Sequence, residues 1–233
     1  MVNALIFLLF FVPLTLLCSG AAVIGSIFDR GGAFAHRCAY FWSSCGLGLA
    51  RTRLLVHGRD AVPPTEPVIF MGNHQGNFDI LALSRAIPRR FSWLAKEELF
   101  RVPLFGAAMM RAGYIPIDRS DGRKALRSLD AAAKRIKGGA SVVIFPEGTR
   151  TPDGALLPFK KGGFLLAERA GVPIVPFTIN GSMQVNPRNK LELHTGTISV
   201  RFAPPIPTAG EGAVRGSALV ERVRAAIEAG LER

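Results

Sequence analysis

Three short runs of this sequence are apolar without interruption: Pro67-Val68-Ile69-Phe70-Met71-Gly72, Ser141-Val142-Val143-Ile144-Phe145 and Pro173-Ile174-Val175-Pro176-Phe177. A strand with one face in water alternates apolar and polar residues, whereas a strand that is apolar throughout is covered on both faces, as inside a mostly parallel sheet. Helical spacing separates the runs, with Ile80, Leu81, Leu83 and Ile87 after the first and Leu126, Leu129, Ala133 and Ile136 before the second. A helix from about Gly163 to Ala170 precedes the third, and Leu219, Val220, Val223, Ile227 and Leu231 form a final amphipathic stripe. The expected fold class is therefore α/β, a single layered domain with a central, mostly parallel mixed sheet flanked by helices. Further strands are expected over 90–96 and 114–118, where Pro116 marks an edge or a bulge, and 191–194 with 197–202 suggests a terminal hairpin. The 233 residues show no repeat and no long linker, so one core is expected for the body of the chain.

The N-terminus is of another kind. No charged residue occurs from Val2 through Phe28, and Leu5 to Leu17 is nearly all Leu, Phe, Ile and Val. A length comparable with the ~20 residues of a membrane span predicts an N-terminal membrane-embedded helical segment over 1–50, with the soluble domain over 51–233. Pro13, Gly20 and Gly25 leave two arrangements open, one spanning helix or a half-inserted helical pair that includes the aromatic stretch Ala33 to Leu49. The absence of a basic leader and of a small-x-small site argues against a cleaved signal. Arg30, Arg37, Arg51 and Arg53 suit an anionic lipid surface and place the body on the cytoplasmic side.

Charge narrows the partners. Lys and Arg number 29 against 17 Asp and Glu, a formal charge of +12, so anionic partners are expected. The hydrophobic fraction of 48% favours lipid. No zinc-finger spacing, aromatic RNA-binding motif or long basic run points to nucleic acid, and no glycine-rich phosphate loop points to a nucleotide. Cys18, Cys38 and Cys45 all lie in the N-terminal segment, with neither a disulfide framework nor metal-ligand spacing, so no metal is expected.

The chemistry-bearing stretch is Asn73-His74-Gln75-Gly76-Asn77-Phe78-Asp79, which ends the first apolar run and opens a helix with Asn77 as the expected N-cap. His74 falls on the connecting loop and Asp79 in the first helical turn, close enough to fold back onto the imidazole. A carboxylate on one ring nitrogen fixes the tautomer and leaves the other free to take a proton. The same residues also suit a structural duty, with His74 tying loop backbone and Asp79 supporting the helix terminus. Because chemistry in α/β sheets gathers at strand ends, the loops after Met71, Ile117 and Phe145 are expected on one edge. They bring Arg119 and the run Pro146-Glu147-Gly148-Thr149-Arg150, with Lys160 and Lys161 shortly after, as candidates for holding a phosphate. Surface salt bridges are the alternative for each. Backbone N–H groups near His74 or Gly148 are candidates for an oxyanion, and no Gly-x-Ser-x-Gly elbow supplies a covalent nucleophile.

Taken together, the sequence resembles the glycerolipid acyltransferases known for a His-x-x-x-x-Asp motif. The resemblance rests on His74 with Asp79, on Lys96-Glu97-Glu98-Leu99 continuing to Gly113-Tyr114-Ile115-Pro116-Ile117-Asp118-Arg119, on Phe145-Pro146-Glu147-Gly148-Thr149-Arg150 and on Val172-Pro173-Ile174-Val175-Pro176, in that order. It covers roughly 68–177 and is nearest to the bacterial-sized 1-acylglycerol-3-phosphate acyltransferases, which places the chain at a bacterial inner membrane. It implies transfer of a fatty acyl group from acyl-coenzyme A or acyl carrier protein to lysophosphatidic acid, with no cofactor. His74 and Asp79 would be the base pair, and Arg119, Glu147, Gly148, Thr149, Arg150 and Lys160 would bind the substrate. Pro116 stands where relatives often carry Phe. Other acceptors (a lyso-ornithine lipid, another lysophospholipid, glycerol 3-phosphate) and a non-catalytic protein that binds acidic lipid remain open alternatives.

Overall fold

The computed structural model describes residues 2–118, 122–187 and 190–232. Helices α1 (Val2–Gly25) and α2 (Ala33–Leu49) form an N-terminal pair, followed by β1 (Thr52–His57), β2 (Ile69–Gly72), α3 (Phe78–Ala86) and β3 (Ser92–Lys96). A 3-10 turn (Glu97–Arg101) leads to α4 (Phe105–Arg111), β4 (Ile115–Ile117), α5 (Gly122–Lys137), β5 (Val142–Ile144) and α6 (Gly162–Ala170). The chain closes with β6 (Ile174–Asn180), a single helical turn α7 (Ser182–Val185), β7 (Gly196–Phe202) and α8 (Gly216–Glu228).

Among the described residues the strands make one seven-stranded sheet in the order β1-β7-β6-β2-β5-β3-β4. Every pairing is parallel except β6 with β7. The uninterrupted apolar runs are the central strands, and alternate residues feed two cores. Phe70, Trp93, Val143, Val175, Phe177 and Ile179 face the core that also holds Phe78, Leu81, Leu83 and Met109 of α3 and α4. Ile69, Met71, Leu94, Val142, Ile144 and Ile174 face the core closed by α5, α6 and α8. β4 is an edge strand, which suits Pro116, a residue with no N–H to donate.

One sequence expectation about the strands needs correction. The terminal hairpin does not form: only Gly196–Phe202 is a strand, between β6 and β1, while Leu193 is buried in the first core and His194 donates its backbone N–H to Val185. The partner of β7 at its far edge is instead β1, whose apolar run Leu54-Leu55-Val56 is short and only half-buried, as befits an edge strand.

α1 runs unbroken through Pro13 and packs against α2. Trp42 Nε1 donates to Thr15 Oγ1 at 2.8 Å, and the Phe11 and Trp42 rings stack with centroids 5.0 Å apart. The pair lies along the body rather than projecting from it. Phe7 sits 5.7 Å from Phe78 between ring centroids, and at the other end Gly32 packs against Arg111 so closely that a Cβ there would come within 2.8 Å of its carbonyl oxygen.

Candidate active site

β2, β3, β4 and β5 are mutually parallel neighbours, so their C-terminal ends do share one edge. The loop that carries His74 starts from a fixed point. Asn73, buried, donates from Nδ2 to Ile179 O at 2.8 Å and accepts from Ile179 N–H at 2.7 Å, a side-chain imitation of strand pairing that ties the end of β2 to β6. Two strands of the following loop system then grip the histidine backbone. His74 N–H donates to Glu147 Oε1 at 2.8 Å, and His74 O accepts from Thr151 N–H at 2.8 Å. Its ring lies flat on Phe145, centroids 3.9 Å apart and planes 9° from parallel.

Asp79 is fully buried, and its Oδ2 accepts three hydrogen bonds: from His74 Nδ1 at 2.6 Å, Gln75 N–H at 2.7 Å and Gly76 N–H at 2.9 Å. The turn folds the carboxylate back onto the imidazole, and Gly76 leaves room for Ser182, whose carbonyl oxygen a Cβ there would meet at 3.1 Å. An anionic acceptor on Nδ1 keeps the proton there, so Nε2 is the basic nitrogen. The ring is 18% exposed and borders a cavity of about 920 Å³, at the upper end of the ~300–1,000 Å³ usual for ligand pockets. Phe7, Phe11 and Trp42 of the helical pair, Phe78 and Leu81 of α3, and Phe105 and Met109 of α4 wall this cavity. His74, Thr149 and Arg150 also line it.

The other candidates separate by position. Arg150 lines the cavity, and its Nη1 donates to Asn77 Oδ1 at 2.8 Å, while Asn77 Nδ2 donates to Asn186 Oδ1 at 3.0 Å. Asn77 therefore does not cap α3 with its side chain as expected; it braces Arg150 across the mouth of the site. Glu147 was expected to meet substrate, but it is 2% exposed with both oxygens engaged, Oε2 accepting from Leu157 N–H at 2.9 Å. It acts as a clamp between two loops. Burial pushes its carboxyl above the ordinary range, opposed by the two backbone N–H bonds.

Gly148 has φ +72°, and a Cβ there would lie 2.9 Å from Lys160 Nζ, so the exposed lysine drapes over the glycine outside the cavity lining. Arg119 lies outside the described residues. Of the candidate oxyanion donors, His74, Gln75 and Gly76 N–H serve carboxylates, and Gly148 N–H donates to Phe145 O at 3.0 Å. Among the described residues no group of three or more His, Cys, Asp or Glu converges as a metal site would require. Phe145 belongs to the motif run, but its stacking on His74 is made across the fold, and nothing in the single sequence marks Asn186.

The family model described as Acyltransferase matches residues 53–180, which spans β1 to the end of β6. The chain belongs to this acyltransferase family. Over 183 residues it is 34% identical to the chloroplastic 1-acyl-sn-glycerol-3-phosphate acyltransferase BAT2 of Brassica napus, covering 77% of this chain and 53% of that protein. It is 36% identical over 173 residues to the human 1-acyl-sn-glycerol-3-phosphate acyltransferase alpha, covering 74% of this chain and 61% of that protein. The chain thus spans little more than half the length of these curated relatives. In fold it is similar to the crystal structure of the 1-acyl-sn-glycerophosphate acyltransferase PlsC from Thermotoga maritima, with a TM-score of 0.86 and 22% identity over 98% of this chain and 93% of the other.

Proposed function

We propose that the chain transfers a fatty acyl group from a thioester to the sn-2 hydroxyl of 1-acylglycerol 3-phosphate, giving phosphatidic acid. The observation that carries this reading is one juxtaposition: a His74–Asp79 pair and Arg150 on the lining of a large apolar cavity. His74 Nε2 takes the proton of the acceptor hydroxyl as its oxygen attacks the thioester carbonyl. The carbon–sulfur bond then breaks, the thiolate leaves, and the proton held on His74 passes to it. A thioester is already activated, so neither a covalent enzyme intermediate nor a cofactor is required. Arg150, held by Asn77, offers a planar guanidinium to the acceptor phosphate, with Thr149 beside it on the lining, Lys160 reaching in from over Gly148, and Glu147 and Gly148 shaping the loop. Arg119 joins this set by its place in the motif. The relatives named for the same reaction support the choice of acceptor.

We assign the anchor to residues 1–50 and the catalytic domain to 51–233, at a membrane and on its cytoplasmic face. α1 is long and apolar enough to enter a bilayer, and Leu5, Leu9, Phe10, Leu17 and Phe28 are exposed on the helical pair. An anionic bacterial inner membrane, and acyl carrier protein beside coenzyme A as donor carrier, complete the assignment.

The test is an acceptor panel with purified protein in detergent, following release of free thiol from acyl-coenzyme A. Thiol release that depends on lysophosphatidic acid is expected. Equal release with glycerol 3-phosphate or lyso-ornithine lipid would move the assignment to another acceptor, and none with any acceptor would refute transfer.

A further inference from the structure

The segment between β3 and β4 exposes apolar side chains that the reaction above does not use. Val102, Leu104 and Met110 are 46%, 38% and 57% exposed, and none of the three lines the cavity. Leu104 is held there against its backbone preference. Its φ is +61° and its ψ −52°, and Phe105 N–H donates to Pro103 O across it at 2.6 Å. That is a γ-turn of the rare hand, strained for any residue with a Cβ. The turn is pinned from the far side, because a Cβ on Gly106 would lie 2.1 Å from Phe100 O. A glycine at position 104 would relieve the strain, yet a leucine stands there and faces outward.

What covers it is indicated by the neighbouring surface. α4 packs on α1, and the α1–α2 turn, where Ile27 and Phe28 are 70% and 88% exposed, meets the C-terminal end of α4 at Arg111. The apolar surface of the helical pair thus continues onto this segment. Of the acidic groups nearby, Glu97 pairs with Arg101 at 3.0 Å and Glu98 with Lys96 at 3.2 Å, while Asp29 in the α1–α2 turn accepts backbone N–H groups of Gly31 and Phe34. Exposed Arg30 and Arg111 rim the patch as cations. Apolar side chains ringed by cations, continuous with a helix that carries no charge at all, match a phospholipid headgroup boundary better than a protein surface.

We propose that residues 102–110 form a second membrane-contact element, in which Val102, Leu104 and Met110 enter an anionic bilayer beside α1. The proposal rests on the membrane reading of the helical pair given above.

The experiment uses the full chain and vesicles of phosphatidylcholine and phosphatidylglycerol brominated along the acyl chain. Val102→Trp adds an indole whose emission, taken as the difference from the unsubstituted protein, is expected to shift blue and to be at least half quenched. Glu221→Trp, on α8 across the sheet, is expected to stay unquenched. Leu104→Gly is expected to raise Tm in detergent while raising the KM for a vesicle-presented acceptor about fivefold, with a short-chain soluble acceptor unaffected. A leucine kept for packing would instead lower Tm and spare the KM, overturning the proposal. An unquenched indole at position 102, in protein that still floats with vesicles through α1, would overturn it and leave the anchor reading standing. Failure of the intact chain to bind vesicles would overturn both. An indole that responds to acyl carrier protein and not to lipid would reassign the patch to a protein.

Discussion

Replacing Asp79 with Asn separates the charge of the site from its geometry. Oδ2 accepts from His74 Nδ1, Gln75 N–H and Gly76 N–H, and an amide oxygen in its place can accept all three. The amide nitrogen then falls at Oδ1, which has no hydrogen-bond partner among the described residues, so no donor is forced against another donor. What is lost is the negative charge opposite the imidazolium that forms when His74 takes the hydroxyl proton. With unit charges ~4 Å apart and an effective dielectric constant of ~20, that attraction is about 4 kcal/mol, or roughly a thousandfold in rate. Turnover of Asp79→Asn should therefore fall about 10³-fold at saturating concentrations of both substrates. KM should stay within about twofold, because neither substrate touches the buried carboxylate. The assay is thiol release by purified protein in detergent, with circular dichroism and Tm confirming the fold. Turnover within tenfold of the unsubstituted protein, or a loss confined to KM, would refute the general-base role of the pair.

Three further outcomes are expected. Arg150→Ala should raise the KM for lysophosphatidic acid at least roughly tenfold, about 1.4 kcal/mol, with a much smaller effect on the thioester, and Arg150→Lys should recover only part of it; parallel loss toward both substrates in steady-state kinetics would count against a phosphate contact. Glu147→Gln must set an amide N–H against the backbone N–H of His74 or Leu157, at a cost of about 1–3 kcal/mol that thermal unfolding reads; because burial raises the Glu147 carboxyl, the folded protein keeps that proton where the unfolded chain has lost it, so stability falls as pH rises from the ordinary glutamate range to the raised value, and the substitution should remove that part of the slope. A chain lacking residues 1–50 should leave the membrane pellet in high salt but aggregate, since it uncovers Phe78, Leu81 and Phe105, and its persistence in the pellet as folded protein would place the anchor elsewhere.

The central strands were legible because burial on both faces writes itself as an unbroken apolar run, and Pro116, which marked an edge or a bulge, stands in the edge strand β4. His74 and Asp79 were legible for a related reason: five residues across a strand-to-helix turn suffice to fold one side chain back on the other, so their geometry is local. β1 and the stretch near His194 were not. An edge strand such as Thr52–His57 carries a mixed pattern, and the Leu191–His194 pattern that suggested a strand reflects one buried leucine at the rim of the first core. Asn77 does hold the N-cap position of α3, but its side chain makes no capping bond. Asn is a common helix cap, but here the side chain is taken by Arg150, 73 residues away. Glu147 shows the same limit, since a conspicuous acid in a motif loop turned inward to clamp backbone rather than outward to ligand.

The position of the cavity ties the proposed anchor to the proposed chemistry. Phe7 and Phe11 of α1 and Trp42 of α2 are at once walls of the cavity and members of the helical pair whose outer side chains are exposed. Moving an acyl chain of about 16 carbons from a bilayer into water would cost on the order of 12 kcal/mol, at ~0.8 kcal/mol per methylene. A catalytic base facing solvent would meet that cost in full. Here the apolar cavity begins at helices suited to lie in the bilayer and runs to His74, so a chain can pass from one apolar surroundings to another while only the phosphate and the thioester need polar contacts. The proposed phosphate contact fits the same path: Arg150, held by Asn77, lines the cavity together with Phe7, Phe11 and Trp42.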